Sequence, residues 1–122
     1  MNERKRRGDS GETFVADALI LRGYEVLERQ FRCRWGEIDL IVRAPDGILC
    51  FVEVKSRSSG GLAQAREAVT PTKQRRLREA AEVYLAQTGL DCLCRFDVAE
   101  VYPDAAGRWE KPKINYFINA FQ

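Results

Sequence analysis

The sequence contains no histidine among its 122 residues. Nucleophilic catalysis by Ser–His or Cys–His pairs is therefore excluded, and so is metal binding through imidazole. Any catalysis by this chain must depend on carboxylates, lysine, tyrosine or a bound metal ion. The absence of histidine thus limits the candidate catalytic groups to these.

Cysteine is sparse, and its spacing does not suit a zinc site. The four cysteines lack the paired C-x-x-C spacing of zinc-binding proteins. Cys50 lies inside an apolar run, which predicts a small buried core residue. A metal ion shared by Cys33, Cys92 and Cys94 is the alternative that this spacing leaves open.

Long apolar runs are also lacking. No stretch approaches the roughly 20 apolar residues of a membrane helix, and residues 1–9 are too polar for a signal peptide. Hydrophobic residues make up 45% of the chain and charged residues 31%, as in soluble globular proteins. We therefore expect one cytoplasmic domain over residues 1–122, with no membrane partner and a basic, flexible segment at residues 1–9.

The chain also lacks a large excess of basic charge. It has 20 basic and 18 acidic residues, which give a net charge of only +2. The chain is thus not a general basic coat for nucleic acid. Its basic residues are clustered, however, at residues 4–7 and near Lys73 and Arg76. Phosphate binding requires local rather than net charge, so Lys73 and Arg76 are candidate nucleic-acid contacts. Solvated surface is the alternative explanation.

Residues 36–57 form the most informative stretch. Two apolar runs flank the turn signal Pro45-Asp46-Gly47, which predicts two antiparallel strands. Asp39, Glu53 and Lys55 interrupt these runs where a core strand is normally apolar. The interruptions mark a candidate site at one end of the hairpin.

The hairpin loop decides whether these charges meet. A three-residue loop at 45–47 or a five-residue loop at 44–48 places Asp39 opposite Glu53. The same register places Glu37 opposite Lys55. A loop of even length would put the charges on opposite faces of the sheet.

The remaining pattern predicts an α/β fold, with a mixed sheet of four to five strands flanked by helices. The first helix begins after the N-cap Ser10, ends at Gly23 and packs through Phe14, Ala18 and Leu21. The second helix begins at Thr70-Pro71, ends at Gly89 and packs through Leu77, Ala80, Ala81, Tyr84 and Leu85. The other predicted elements are strands at 24–31 and 95–102, a mobile loop at 57–68, and a last strand or apolar tail at 114–121.

The paired carboxylates have a chemical interpretation. Asp39 and Glu53, both partly buried, would repel each other unless a cation lay between them. Mg²⁺ suits such a site because it prefers oxygen ligands and retains several waters. Lys55 could then orient the nucleophile or stabilise phosphate charge, which indicates metal-assisted phosphodiester hydrolysis. The alternative is a salt-bridged cluster on an exposed sheet edge.

The D-(x13)-E-x-K arrangement of Asp39, Glu53 and Lys55 resembles the PD-(D/E)XK restriction-endonuclease-like superfamily, especially archaeal Holliday junction resolvases. Nearly the whole chain resembles the bacterial YraN family. The residues that carry this resemblance are Gly11-Glu12, Ala16, Gly23-Tyr24, Gly36-Glu37-Ile38-Asp39-Leu40, Phe51-Val52-Glu53-Val54-Lys55, Arg57, Lys73, Arg95-Phe96-Asp97-Val98 and Asn119-Ala120-Phe121. In the segment before Gly36 the family usually has Asn, where this chain has Gln30-Phe31.

The resemblance implies a restriction-endonuclease-like fold and residue roles. Asp39 and Glu53 would bind Mg²⁺ or Mn²⁺, Lys55 would be the catalytic lysine, and Glu12 would be a further catalytic acid and metal ligand. From spacing alone, Glu12 is simply a carboxylate favoured by the helix dipole. The resemblance further implies that Arg57, Lys73 and Arg95 contact phosphate or serve structure. Surface ion pairs are the alternative for these basic residues.

The resemblance thus implies a divalent-metal-dependent DNA endonuclease, acting on branched DNA as a homodimer, with no small-molecule cofactor. Two strands of a junction require two active sites, which a symmetric dimer supplies. Two other functions stay open at this point. One is a non-catalytic nucleic-acid-binding module, and the other is a protein-interaction adaptor that uses the apolar segment at 114–121.

Overall fold

The structure, a computed structural model, describes residues 3–57 and 69–121, with side chains from residue 11 onward. The predicted mobile loop at 57–68 lies outside these residues except for Arg57. The elements in chain order are α1 (Glu3–Leu21), β1 (Glu25–Cys33), β2 (Gly36–Arg43), β3 (Leu49–Ser56), α2 (Pro71–Thr88), β4 (Cys94–Tyr102) and β5 (Lys113–Phe121).

The strands form one five-stranded sheet in the order β1-β2-β3-β4-β5. β3 and β4 are parallel, and the connection between them includes α2. The other neighbouring strands are antiparallel. The predicted α/β class with a mixed sheet flanked by helices is confirmed, and the segment at 114–121 belongs to a strand rather than a tail.

β3 lies at the centre of the sheet and is covered on both faces. Leu49 and Phe51 pack in a cluster with α2, while Cys50 and Val52 pack in a second cluster with α1. We call these the α2 face and the α1 face of the sheet. A strand that is apolar on both sides is typical of a buried central strand, as the sequence predicted.

The start and packing face of α1 differ from the sequence prediction. The helix begins at Glu3, so an N-cap at Ser10 is wrong, and residues 3–9 are helical. The residues buried against the sheet are Gly11, Glu12, Val15, Ala16 and Leu19. Leu21, predicted to pack, is 89% exposed. The small side chains at 11 and 16 explain the difference, because they let this face lie close to the sheet.

α2 begins, packs and ends as predicted. The Thr70 side chain accepts a hydrogen bond of 3.3 Å from the N–H of Lys73, and Pro71 occupies the first turn. The helix ends at Gly89, which has φ of 71° and donates its N–H to the Leu85 oxygen. Its buried residues are Leu77, Ala80, Ala81 and Tyr84. No helix in the described part of the chain is long and apolar enough to cross a membrane.

The β2–β3 hairpin has the register that brings the carboxylates together. Leu40 pairs with Val52, and Arg43 pairs with Leu49. This leaves a five-residue loop at 44–48, one of the two odd lengths that the register requires. The N–H of Ala44 donates to the Ile48 oxygen at 2.9 Å and closes the loop. The predicted register is therefore confirmed from the Arg43–Leu49 pair to the Leu40–Val52 pair, while Asp39–Glu53 and Glu37–Lys55 lie beyond the end of the ladder.

A fully buried carboxylate, Asp97, joins β4 to its neighbours on the α1 face. It accepts hydrogen bonds from Arg95 Nε at 3.1 Å, from the Tyr116 hydroxyl at 2.5 Å and from the N–H of Asn119 at 2.9 Å. Arg95 in turn donates to the Tyr24 hydroxyl at 2.9 Å. Burial and the neighbouring Asp97 charge raise the pKa of Tyr116, so its hydroxyl stays a donor. The cluster satisfies its buried charges internally.

We expect Asp97→Asn to lower the free energy of unfolding by about 3–5 kcal/mol, because Arg95 would keep its buried charge without a counterion. Glu37→Gln is the matched control, since it breaks the exposed Arg32–Glu37 ion pair and should cost less than about 0.5 kcal/mol. Urea unfolding of both variants measures these changes. Equal losses would contradict the assignment of Asp97 as the structural ion-pair partner.

Candidate active site

An open cavity of about 520 Å³ lies between the start of β2, the end of β3 and the first turns of α2. We call it the β2–α2 cavity. Its lining residues are Gly36, Glu37, Asp39, Glu53, Thr70, Thr72, Lys73, Arg76 and Leu77. Two of the predicted acids and two of the predicted basic residues thus line one space, on the α2 face.

Asp39 lies where β2 separates from β3. The ladder between these strands ends at the Leu40–Val52 pair. Ile38 and Leu40 are two residues apart but pack on opposite faces of the sheet, so the regular alternation breaks at Asp39. The Asp39 Oδ2 atom accepts a hydrogen bond of 2.8 Å from the N–H of Val54 and so links the strands beyond their last backbone pair.

The environment of Asp39 disfavours its charge. Burial and the negative charge of Glu53 raise the pKa of Asp39 to about 7 from its ordinary 3.8, although the hydrogen bond from Val54 acts in the opposite direction. Glu12 contributes a further increase. Of the three predicted acids, Asp39 and Glu53 line the same cavity.

Glu53 is a buried carboxylate that two lysines share. Its Oε1 atom lies 3.1 Å from Lys55 Nζ and 3.2 Å from Lys73 Nζ. Glu53 is only 7% exposed, so these ammonium groups balance a charge that water hardly reaches. Burial, followed by the contact with Lys73, lowers the pKa of Lys55. Two cations are thus held beside Glu53.

Glu12 approaches the same region from α1. It is 8% exposed and accepts a long hydrogen bond of 3.5 Å from the Gln30 amide. It raises the pKa of Asp39, but it does not line the β2–α2 cavity. The spacing-based explanation, an acid at the start of the helix, is wrong because α1 begins nine residues earlier.

The donor set fits a site with two carboxylate ligands. Within residues 3–57 and 69–121, no three Asp, Glu, Cys or His residues are grouped so as to hold a metal by themselves. Asp39 and Glu53 nevertheless repel each other at one end of an open cavity, an arrangement that a cation relieves. Mg²⁺ commonly uses one or two carboxylates and completes its shell with water and phosphate oxygens. A metal here would depend on Asp39 and Glu53, and the role of Glu12 as a ligand stays a prediction.

The other predicted basic residues lie in different places. Arg76 lines the cavity, and its backbone is so close to Gly36 that a Cβ atom at Gly36 would lie 3.3 Å from the Arg76 Cβ. Arg57 follows β3, and its N–H donates to the Val101 oxygen at 2.7 Å. Arg95 lies on the α1 face, where it is bound to Asp97 and Tyr24. The structure does not bring Arg95 to the cavity.

One predicted contact does not form, and some lining residues were not predicted. The β2–β3 ladder ends at the Leu40–Val52 pair and does not extend to Glu37. Glu37 therefore pairs with Arg32 of β1 at 3.2 Å rather than with Lys55. Thr70 and Thr72 line the cavity, yet the sequence indicated only their place at the start of α2. The N-cap pattern could have indicated their place in the site. Helical side chains lean toward the N-terminus, so Lys73, three residues after the N-cap, extends toward the same end of the helix as these threonines.

We expect Asp39→Asn to stabilise the metal-free protein progressively more as the pH rises from 5 to 8. The folded-state pKa of Asp39, about 7, exceeds the ordinary value of 3.8. Between these values the folded protein retains a proton that the unfolded chain has lost, so wild-type stability falls as the pH rises and the loss is complete above pH 7. Asn cannot ionise, but it can still accept the Val54 hydrogen bond.

Urea unfolding in chelator at the two pH values should show a gain for the variant that is larger at pH 8 by on the order of 1–2 kcal/mol, after allowance for partial exposure. Parallel pH profiles for wild type and variant would show that Asp39 is not destabilised by its neighbours.

Related sequences cover most of this chain. The UPF0102 protein of Cupriavidus taiwanensis is 46% identical over 101 residues, which cover 83% of this chain and 77% of that protein. The UPF0102 protein of Caldicellulosiruptor saccharolyticus is 43% identical over 122 residues, which cover 99% of this chain and 100% of that protein.

One solved structure, that of Pyrococcus furiosus SfsA in complex with Ca²⁺, matches with a TM-score of 0.35 and 14% identity. The match covers 94% of this chain and 63% of that one, and a likeness this weak supports no conclusion. The model of "Uncharacterised protein family UPF0102", by contrast, matches residues 11–101. That segment contains the acids, both site lysines and the complete α2, and it exceeds half of the sequence. The chain therefore belongs to the UPF0102 family, the YraN family that its motifs indicated.

Proposed function

We propose that this protein is a divalent-metal-dependent endonuclease that hydrolyses phosphodiester bonds in DNA. The observation that supports this function most directly is that Asp39, Glu53 and Lys73 line one open cavity, while Lys55 contacts Glu53 beside it. Paired carboxylates bind a hard cation, and adjacent ammonium groups attract phosphate. A structural ion pair alone would not require a cavity beside it.

Asp39 and Glu53 are the residues that would hold Mg²⁺ or Mn²⁺. When bound, such an ion supplies a more acidic water and neutralises charge on the phosphate. Asp39 is suited to this role because its charge is destabilised in the metal-free protein, so a cation gains from neutralising it. Glu12, which lies near Asp39, is the proposed additional acid.

Lys55 and Lys73 carry the positive charge that would meet the substrate. Both contact Glu53, and Lys73 and Arg76 lie in the first turns of α2. The helix dipole disfavours cations at that end, and α2 has no acid in its first turn to offset it. Departures from such local rules are expected at functional sites. We therefore assign Lys73 and Arg76 to phosphate binding and Lys55 to charge stabilisation near the cleaved bond.

The resemblance to the PD-(D/E)XK superfamily extends this proposal to substrate and assembly. Its resolvase members suggest branched DNA as the substrate, cut by a homodimer that places two sites on one junction. Since unrelated functions can share a fold, the substrate must be tested on its own. Arg57, at the end of β3, remains a proposed phosphate contact.

A non-catalytic nucleic-acid-binding module is the second candidate. The two ion pairs of Glu53 favour it, because they satisfy the buried carboxylate without any metal. In that case the lysines and Arg76 would bind phosphate, and the acids would only position the lysines. The two candidates differ in one property, which is metal-dependent cleavage.

We expect the protein to cut DNA with Mg²⁺ or Mn²⁺ and not with chelator, most efficiently on a four-way junction or a flap. Asp39→Asn should abolish cutting, and Lys55→Met should slow it by about 100- to 1000-fold. Gel-based cleavage of junction, flap, single-stranded and duplex substrates measures both effects.

Asp46→Asn is the matched control for this experiment. Asp46 is an exposed carboxylate in the loop of the same hairpin, at the end away from the cavity, and its loss should leave cutting unchanged. A folded wild type that binds DNA but cuts none of the substrates would support the binding module instead.

For binding in chelator, we expect Lys73→Met and Arg76→Met each to lower DNA affinity and to reduce the slope of log affinity against log salt by about 1. Arg22→Met is the control, because Arg22 lies at the opposite end of the sheet from the cavity. It adjoins Gly23, where an added Cβ atom would contact Pro45 of the hairpin loop. Fluorescence anisotropy over a salt series measures the slopes. If all three variants behaved alike, the cavity would not be the phosphate-binding surface.

A further inference from the structure

The tight turn between β1 and β2 presents an exposed tryptophan. β1 ends at Cys33 and β2 begins at Gly36, so Arg34 and Trp35 form the whole connection. Trp35 is 46% exposed, and the Arg34 guanidinium lies 4.7 Å from the centre of its ring system. Two-residue turns normally contain Gly, Asn or Asp, so neither residue is explained by the needs of the turn.

Trp35 also stands apart from the other aromatic residues. Within residues 11–57 and 69–121, each other Phe, Tyr or Trp is buried or half-buried, and only Trp35 is exposed. The second tryptophan, Trp109, is half-buried against the α1-face cluster. The exposure of Trp35 is therefore particular to this turn and not a general feature of a small sheet.

The turn is fixed at the rim of the β2–α2 cavity. Gly36, the next residue after Trp35, lines this cavity and packs directly on the backbone of Arg76. A Cβ atom at Gly36 would lie 3.4 Å from the Arg76 oxygen, so no larger residue fits without a shift. Trp35 is thus anchored one residue from the proposed active site, which limits the entropy lost when it binds a ligand.

The charges at the turn favour a polyanion. Arg32 is already paired with Glu37 at 3.2 Å. In the described part of the chain, Arg34 makes no ion pair, and its guanidinium lies over the indole ring of Trp35. An exposed indole beside an uncommitted guanidinium combines the two groups that bind unpaired nucleotides, one for the base and one for the phosphate.

We propose that Trp35 stacks on an unpaired base next to the phosphodiester held in the cavity, while Arg34 binds a neighbouring phosphate. A base within continuous duplex is stacked on both sides and presents no free face, whereas single strands and branch points do. The Trp35–Arg34 turn would therefore select DNA with unpaired bases near the cut. This inference rests on the proposed nuclease function, because it names the substrate of that same cavity.

The test uses binding in chelator, so that it does not depend on cleavage. The probes are a single-stranded oligonucleotide and a matched oligonucleotide of equal length whose sugars lack bases. We expect Trp35→Ala to weaken binding to the first about 5- to 100-fold, the range for loss of one base–aromatic stack. Binding to the abasic probe should change less than about 2-fold, and Trp35→Phe should retain most of the affinity.

Tryptophan fluorescence supplies an independent measurement, because the chain has only two tryptophans. In Trp109→Phe protein, the intact oligonucleotide should quench the emission of Trp35 and the abasic probe should not. In Trp35→Phe protein, the remaining Trp109 is the matched control and should not be quenched by either probe. Circular dichroism checks that each variant is folded.

Equal losses of affinity on the two probes, or no quenching of Trp35, would overturn the stacking proposal. Its failure is separable from failure of the nuclease. A protein that cuts DNA with metal but shows no effect of Trp35 loses only this inference. One that stacks through Trp35 but never cuts loses only the nuclease function.

Discussion

Glu53 is a carboxylate placed at the end of a strand that is buried on both faces, and much of the structure supplies what this placement requires. Its charge is balanced by Lys55 from the same strand and by Lys73 from α2. Lys73 can reach it only because α2 begins at Thr70 and packs closely on Gly36. The N-cap, the glycine and the ion pairs are therefore parts of one arrangement around this buried acid.

The parts of this arrangement that were predictable are those that local chemistry determines. The caps of α2 follow from Thr70, Pro71 and Gly89, and the hairpin register follows from alternation together with loop length. Both depend on residues a few positions apart. The central position of β3 could also be predicted from the sequence, because a strand that is apolar on both faces must be covered on both sides.

Other parts depend on contacts between distant segments and could not be predicted from local pattern. The buried face of α1 contains Gly11 and Ala16, which look unremarkable in the sequence and become important only when the helix lies against the sheet. The break in the side-chain alternation of β2 at Asp39 likewise could not be predicted from local pattern. In the opposing strand, Gln30 has a φ of 49°, a left-handed conformation that Asn adopts more readily than Gln. This backbone conformation at Gln30 is seen only in the structure.

The separation of the basic residues has the same origin. Arg95 and Lys73 look alike in a list of charges, yet Arg95 is enclosed with Asp97 and Tyr116 while Lys73 lines an open cavity. Lys73 is also paired, with Glu53, but its ammonium group lies at a cavity that a polyanion could enter, whereas Arg95 is enclosed. Burial and partners, rather than residue type, decide which arginines and lysines are free to act on a substrate.

The five-residue loop at 44–48 lies at the far end of the hairpin from the acids, but its length sets the face of the sheet on which they lie. Insertion or deletion of one residue there would turn Glu53 and Lys55 to the wrong face unless a bulge compensated for it. A change of two residues would preserve the faces. Among related proteins, this remote loop should therefore vary freely in composition but change in length by two residues at a time. The length of a surface turn thus depends on the site at the other end of the sheet.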